Sequence, residues 1–112
     1  MKVKAKSNIH TNDIDGLENE DITIGEIYSV IGIEGDYFRI VNDVKEPILY
    51  PKILFDIIDP NIPADWLKTE YDGEIFVEPP ETSKPGFYET YFDGDQDSIK
   101  IYKKMLIKNK VK

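Results

Sequence analysis

Between Ile22 and Asp59 the chain is written in short runs of β-branched and aromatic residues separated by small polar groups, and that spacing predicts a β domain. Ahead of it, Lys2, Lys4 and Lys6 alternate with Val3 and Ala5, the period of two expected of a short edge strand over 3–5. Residues 7–21 are dominated by Asn, Asp, Gly and Glu and read as a long polar loop. A strand is expected over 22–33, with Ile22 and Ile24 on one face and Gly25 allowing a bend or bulge before Ile27. Glu34, Gly35 and Asp36 then form a turn by composition. Tyr37-Phe38-Arg39-Ile40-Val41 is a second strand, 42–46 a second turn, and 47–50 a third strand. Pro47 can open that strand but cannot sit inside its ladder, because it has no N–H to donate.

After Pro60 the pattern changes. The segment 61–68 has Pro63 early and good helix formers after it, which predicts one helical turn carrying Trp66, with the indole plugging an open end of the β domain. A short strand is expected over 73–78, ended by Pro79 and Pro80, and a loop over 81–85. Phe87, Tyr88, Tyr91 and Phe92 recur at helical spacing, so one aromatic face should be buried. Asp95 is placed to cap a last helix whose apolar face is drawn from Ile99, Ile101, Tyr102, Met105 and Leu106, with acids at its start and lysines at its end.

The middle of the chain resembles SH3 domains. The long loop 7–21, the aromatic pair Tyr37-Phe38, the strand ending at Tyr50-Pro51, the expected 3₁₀ turn over 52–55 and a last strand over 56–59 match that order of elements. Ile22, Thr23, Gly25, Glu26, Tyr28 and Val30, followed by Tyr37 to Ile40 and Leu49-Tyr50-Pro51, are similar to small uncharacterised SH3-like barrel proteins of bacteria and their phages. The resemblance implies a closed small barrel over 1–60, with residues 61–112 as an extension of strand and helices packed on it in one compact unit. It does not imply capture of proline-rich peptides, since no tryptophan stands in the aromatic pair and Leu54 occupies the position where an aromatic follows the proline.

Charge sharpens this picture. All 22 acidic residues and eight of the 14 basic ones lie at or before Asp97, a formal −14, while 98–112 carry six lysines and no acid. An anionic body disfavours nucleic acid and favours a basic protein partner. The lysines of the tail, Lys100, Lys103, Lys104, Lys108, Lys110 and Lys112, are then expected at a helix end or against the acidic body. The chain has no cysteine, hence no disulfide, thiolate metal site or thiol nucleophile. No signal peptide and no apolar run of membrane-crossing length are recognised, so a cytoplasmic, soluble protein without a membrane association is the expectation.

Candidate chemistry is sparse. Asp93, Asp95 and Asp97 have the alternate carboxylates of a calcium loop, but Ser98 stands where glycine is needed and Lys104 where the closing glutamate belongs, so capping is the better reading and no metal site is assigned. His10 is the one histidine, in a polar loop without a second metal-ligating partner. No nucleophile elbow, phosphate loop or zinc motif occurs. Neither catalytic residues nor a cofactor are therefore expected. The expected function is non-enzymatic binding of another protein, through a groove at Tyr37, Tyr50 and Pro51 or through the acidic loop residues Asp13, Asp15, Glu18 and Glu20. Two alternatives stand beside it: an immunity-type protein neutralising a basic toxin such as a nuclease, and a small-molecule or enzymatic pocket between barrel and C-terminal helices. A buried carboxylate pair in a cleft there would favour the last.

Overall fold

The computed structural model describes residues 1–8 and 21–111, over which seven antiparallel strands in one sheet are followed by two C-terminal helices. The strands are β1 (Lys2–Ala5), β2 (Ile27–Glu34), β3 (Tyr37–Val41), β4 (Pro47–Pro51), β5 (Phe55–Asp59), β6 (Leu67–Tyr71) and β7 (Glu74–Glu78). A 3₁₀ turn, Lys52–Leu54, joins β4 to β5. The main order is β4-β3-β2-β1-β5, with β7 pairing the late half of β2 and β6 pairing β7. The closed barrel expected from the sequence is not formed. β4 pairs with β3 and β5 with β1, but β4 and β5 do not pair with each other, and β2 branches the sheet by taking β1 early and β7 late.

Several local expectations change with this topology. β1 is not an edge, because β5 joins its second side, although Val3 and Ala5 point inward as the alternation requires. Residues 21–26 are turn rather than strand, so Ile22 is buried while Ile24 is exposed. Gly25 there takes φ +91° and donates its N–H to Ala5 O, a left-handed geometry that favours glycine. At the β2–β3 hairpin Gly35 has φ +58°, and a Cβ on it would come within 3.1 Å of the Glu74 carboxylate.

One residue splits the core in two. Register along β2 and β3 jumps from Val30↔Ile40 to Gly32↔Arg39, leaving Ile31 as the extra residue of a bulge. Val30 packs inward with Val3, Tyr28, Phe38, Ile40, Tyr50, Leu54 and Phe55, where the Phe55 ring meets Tyr28, Phe38 and Tyr50 edge-on. Ile31 turns to the outer face and joins Phe87, Tyr102 and Met105. A single strand thus supplies both the inner core and the floor on which α1 (Phe87–Phe92) and α2 (Gln96–Lys108) dock. Each such side chain taken from water contributes roughly 1.5–3 kcal/mol.

The helix that was expected around Trp66 is absent: 64–65 are a turn and Leu67 opens β6, an exposed edge strand of weak apolar pattern. Trp66 is buried, and its indole N–H donates to Asn109 Oδ1 just beyond α2, so it ties the β6–β7 hairpin to the last helix. Phe92 is exposed instead of sharing the buried aromatic face, because at five residues from Phe87 it falls about 140° around the helix. Ile101, one residue before the buried Tyr102, is turned out for the same reason. Asp95 caps α2 as its position suggested, accepting from Ser98 N and Oγ at 2.9 Å each. These two bonds hold its carboxyl below the usual range. Asp95→Ala should lower the melting temperature by a few degrees and Asp95→Ser should restore most of it, both read by thermal unfolding. At the other end Lys108 pairs with Asp65 and Glu81, which docks the basic end of the helix on the acidic body. Among the described residues no helix is long and apolar enough to cross a membrane.

Candidate functional site

The outer face of the sheet places three charged side chains in one row. Arg39 on β3 pairs with Gly32 on β2, and the pairing of Ile33 with Val77 brings Glu78 of β7 to the other side of Gly32. A Cβ at Gly32 would lie 3.7 Å from Arg39 Cβ and 3.9 Å from Glu78 Cβ, so this glycine leaves both stems lying across its backbone. Glu34, two residues along on the same face, completes the group.

Arg39 is the one arginine of the chain and is only 9% exposed. Three of its five N–H donors are engaged: Nε and one terminal nitrogen to Glu34 Oε2 at 3.1 and 2.8 Å, the other terminal nitrogen to the carbonyl of Pro47 at 2.8 Å. The guanidinium also stacks on the Tyr88 ring, 3.9 Å from its centroid, so α1 is seated on the sheet through this cation. Burial pushes the Tyr88 phenol up, which keeps its proton on, and the hydroxyl makes no well-formed hydrogen bond.

Glu78 is the group left over. It is half-buried and, among the described residues, has no hydrogen-bond donor or ion-pair partner. Desolvation, and after it the Glu34 charge, push its carboxyl up to about 7, against the opposing pull of Arg39.

These residues floor a cleft of about 730 Å³ between the β6–β7 hairpin and the N-terminal end of α1. Its walls add Glu70, Tyr71 and Phe76 from the hairpin, and Lys84 and Glu89 from the helical side. Four carboxylates therefore face two cations, one of them Arg39, whose three nitrogens each already donate to Glu34 or Pro47. Aromatic walls plus an unpaired carboxylate are the chemistry that receives a guanidinium or ammonium group, since ring faces and carboxylates both attract cations. The other clefts lack this combination. One beside the Tyr28–Asp43 hydrogen bond is smaller and polar, and one flanking Gly35 and Gly73 has no aromatic ring in its lining.

The residues singled out from sequence fall elsewhere. Tyr37 and Pro51 face each other across β3 and β4, Tyr37 being 42% exposed and Pro51 half-buried. Tyr50 lies on the opposite face, 5% exposed in the inner core, with its hydroxyl bonded to Asn42 Nδ2. The surface brings Tyr37 and Pro51 together and leaves Tyr50 out. Asp13, Asp15, Glu18, Glu20 and His10 lie outside the described residues. The cleft residues were missed because β7 reaches β2 across more than forty positions of chain. Two signals pointed toward them: a lone arginine in a lysine-rich chain, and its five-residue spacing from Glu34 across a tight turn.

Comparison with models of protein families, with curated proteins and with solved structures finds no match to this chain.

Proposed function

We propose that the protein is a non-enzymatic binding module for a basic protein partner, and that the cleft between the β6–β7 hairpin and α1 receives a cationic side chain of that partner. The observation that carries the reading is Glu78, a desolvated carboxyl without a donor, set among aromatic rings in a chain whose acids all precede Ser98. An anionic body accelerates encounter with a cationic protein, and the cleft supplies the specific contact. The scaffold reading belongs to the same proposal. An SH3-like module akin to those of bacteria and phages is supported by the strand order β4-β3-β2-β1-β5 and by the single 3₁₀ turn between β4 and β5.

The test begins with a partner recovered on the immobilised full chain. Its association rate should fall steeply between low salt and physiological salt, where the Debye length is about 8 Å. Glu70→Lys with Glu89→Lys, at the mouth of the cleft, should slow association and weaken the complex, while Glu26→Lys on a distant turn should do far less. A salt-independent rate, or indifference to the cleft reversals, contradicts the proposal.

A second reading has a specific observation in its favour. Glu34 is ion-paired with Arg39 while burial and the Glu34 charge push the Glu78 carboxyl up to about 7, and a carboxyl raised toward neutral pH beside a second carboxyl is equipment for acid–base chemistry. Under that reading the cleft is an enzymatic pocket, and Glu78→Gln abolishes turnover of a small substrate without changing its binding.

A further inference from the structure

We propose that the cleft is proton-gated: Glu78 holds a proton while the cleft is empty and releases it when a guanidinium or ammonium group enters, so that cation capture and proton release are a single event. The inference rests on the cleft being the partner's binding site and adds the condition under which that site is open.

Among the described residues no cation forms an ion pair with Glu78. Arg39, its neighbour across Gly32, has Nε and one terminal nitrogen on Glu34, the other on the Pro47 carbonyl, and one face against Tyr88. To turn toward Glu78 it would have to abandon bonds that satisfy it where it is buried. The cleft that Glu78 lines is shared with Glu34 on β2, Glu70 on β6, and Tyr88 and Glu89 on α1, with Lys84 the other cation lining it. Burial and the Glu34 charge therefore hold the proton on Glu78 up to about pH 7. An incoming cation reverses both influences, since it replaces the missing donor and offsets the neighbouring carboxylate.

The consequence is a steep response near neutrality. Only the chain with ionised Glu78 is ready to bind, and that share is about one tenth at pH 6 and most of the population at pH 8, so apparent affinity rises about tenfold between them. Stability moves the other way. The folded-state value, about 7, stands above the ordinary 4.5, so the contribution of this proton is fully present below 4.5, is lost as pH rises toward 7, and is constant above. Glu78→Gln cannot ionise, so its melting temperature should gain on that of the parent chain from pH 5 to pH 8.

The experiment titrates the full chain with the capped tripeptide acetyl-Gly-Arg-Gly-amide at pH 6, 7 and 8, followed by NMR and by calorimetry in buffers of different ionisation enthalpy. The expected result is a dissociation constant about tenfold lower at pH 8 than at pH 6, with close to one proton released at pH 6. In Glu78→Gln binding should be weak and equal at both pH values. Independently of any variant, the side-chain carboxyl carbon of Glu78 in the free chain should titrate near pH 7. Titration in the ordinary carboxylate range overturns the gate outright. Peptide binding in the cleft with the same affinity at all three pH values also overturns the gate while leaving the binding reading intact. No binding at any pH, with Glu78 still titrating near 7, overturns the binding reading and the gate with it.

Discussion

A chain cut after Asp59 is expected to lose cooperative folding altogether. The cut removes β6, β7 and both helices, and with them Phe87, Tyr102 and Met105, the partners of Ile31 on the outer face. Ile31, now 1% exposed, would be returned to water together with much of Val41. Arg39 would lose the Tyr88 ring. What remains is an inner core on a fragment of 59 residues, a size at which only about 60% of the unfolded surface is buried and stability is marginal. Heating the fragment should give no sigmoidal transition, and its amide spectrum should be collapsed rather than dispersed. A well-dispersed, cooperatively melting fragment would mean that the C-terminal half is an attachment and not a part of the fold.

Replacing Arg39 is expected to have the next largest effect, with Arg39→Met costing about 3–5 kcal/mol, because it strands partly buried carboxylates without their cation. Glu34 would keep a charge only 27% exposed, and the Pro47 carbonyl and the Tyr88 face would lose their partner. Arg39→Lys should fail to rescue it, since one ammonium cannot reach Glu34 and Pro47 together while stacking on a ring. Adding Glu34→Gln to Arg39→Met should recover much of the loss, as the orphaned charge of the ion pair is then gone. Chemical denaturation of the four proteins at one pH measures all of this. A loss confined to a few tenths of a kcal/mol in Arg39→Met would show that the cluster is solvated and peripheral.

The truncation and the Arg39 substitution touch the parts of the molecule that were hardest to see in the sequence. From residue 27 to 59 the strand limits follow from local chemistry: alternation sets the faces, Gly35 fixes the hairpin, and Pro51 ends β4 ahead of the 3₁₀ turn. The Asp95 cap was equally legible, because a capping residue and its Ser98 partner are three positions apart. β6 was not, since Leu67-Lys68-Thr69-Glu70-Tyr71 is exposed throughout and carries no buried face to impose a period. The open sheet arises from pairing partners distant in sequence, and the bulge at Ile31, though inside a hairpin, has no local pattern to mark it. The same holds for the cleft. Arg39 and Glu34 are linked by a hairpin and lie within reach of pattern reasoning, whereas Glu78 and Tyr88 arrive through β7 and α1. Tyr50 was assigned to a surface groove with Tyr37, yet β-strand alternation sends Phe38, paired with Tyr50, into the inner core and Tyr37, paired with Pro51, outward.

The most direct measurement of the central claim is a map of amide shifts on the full chain as acetyl-Gly-Arg-Gly-amide is added at pH 8, with acetyl-Gly-Glu-Gly-amide as the opposite charge. A cleft that receives cations predicts saturable shifts concentrated at Gly32, Glu34, Glu78, Thr82 and Tyr88 with the arginine peptide and none there with the glutamate peptide. Shifts confined to Tyr37 and Pro51 and absent from Glu78 and Tyr88, or the same shifts from both peptides, would contradict it.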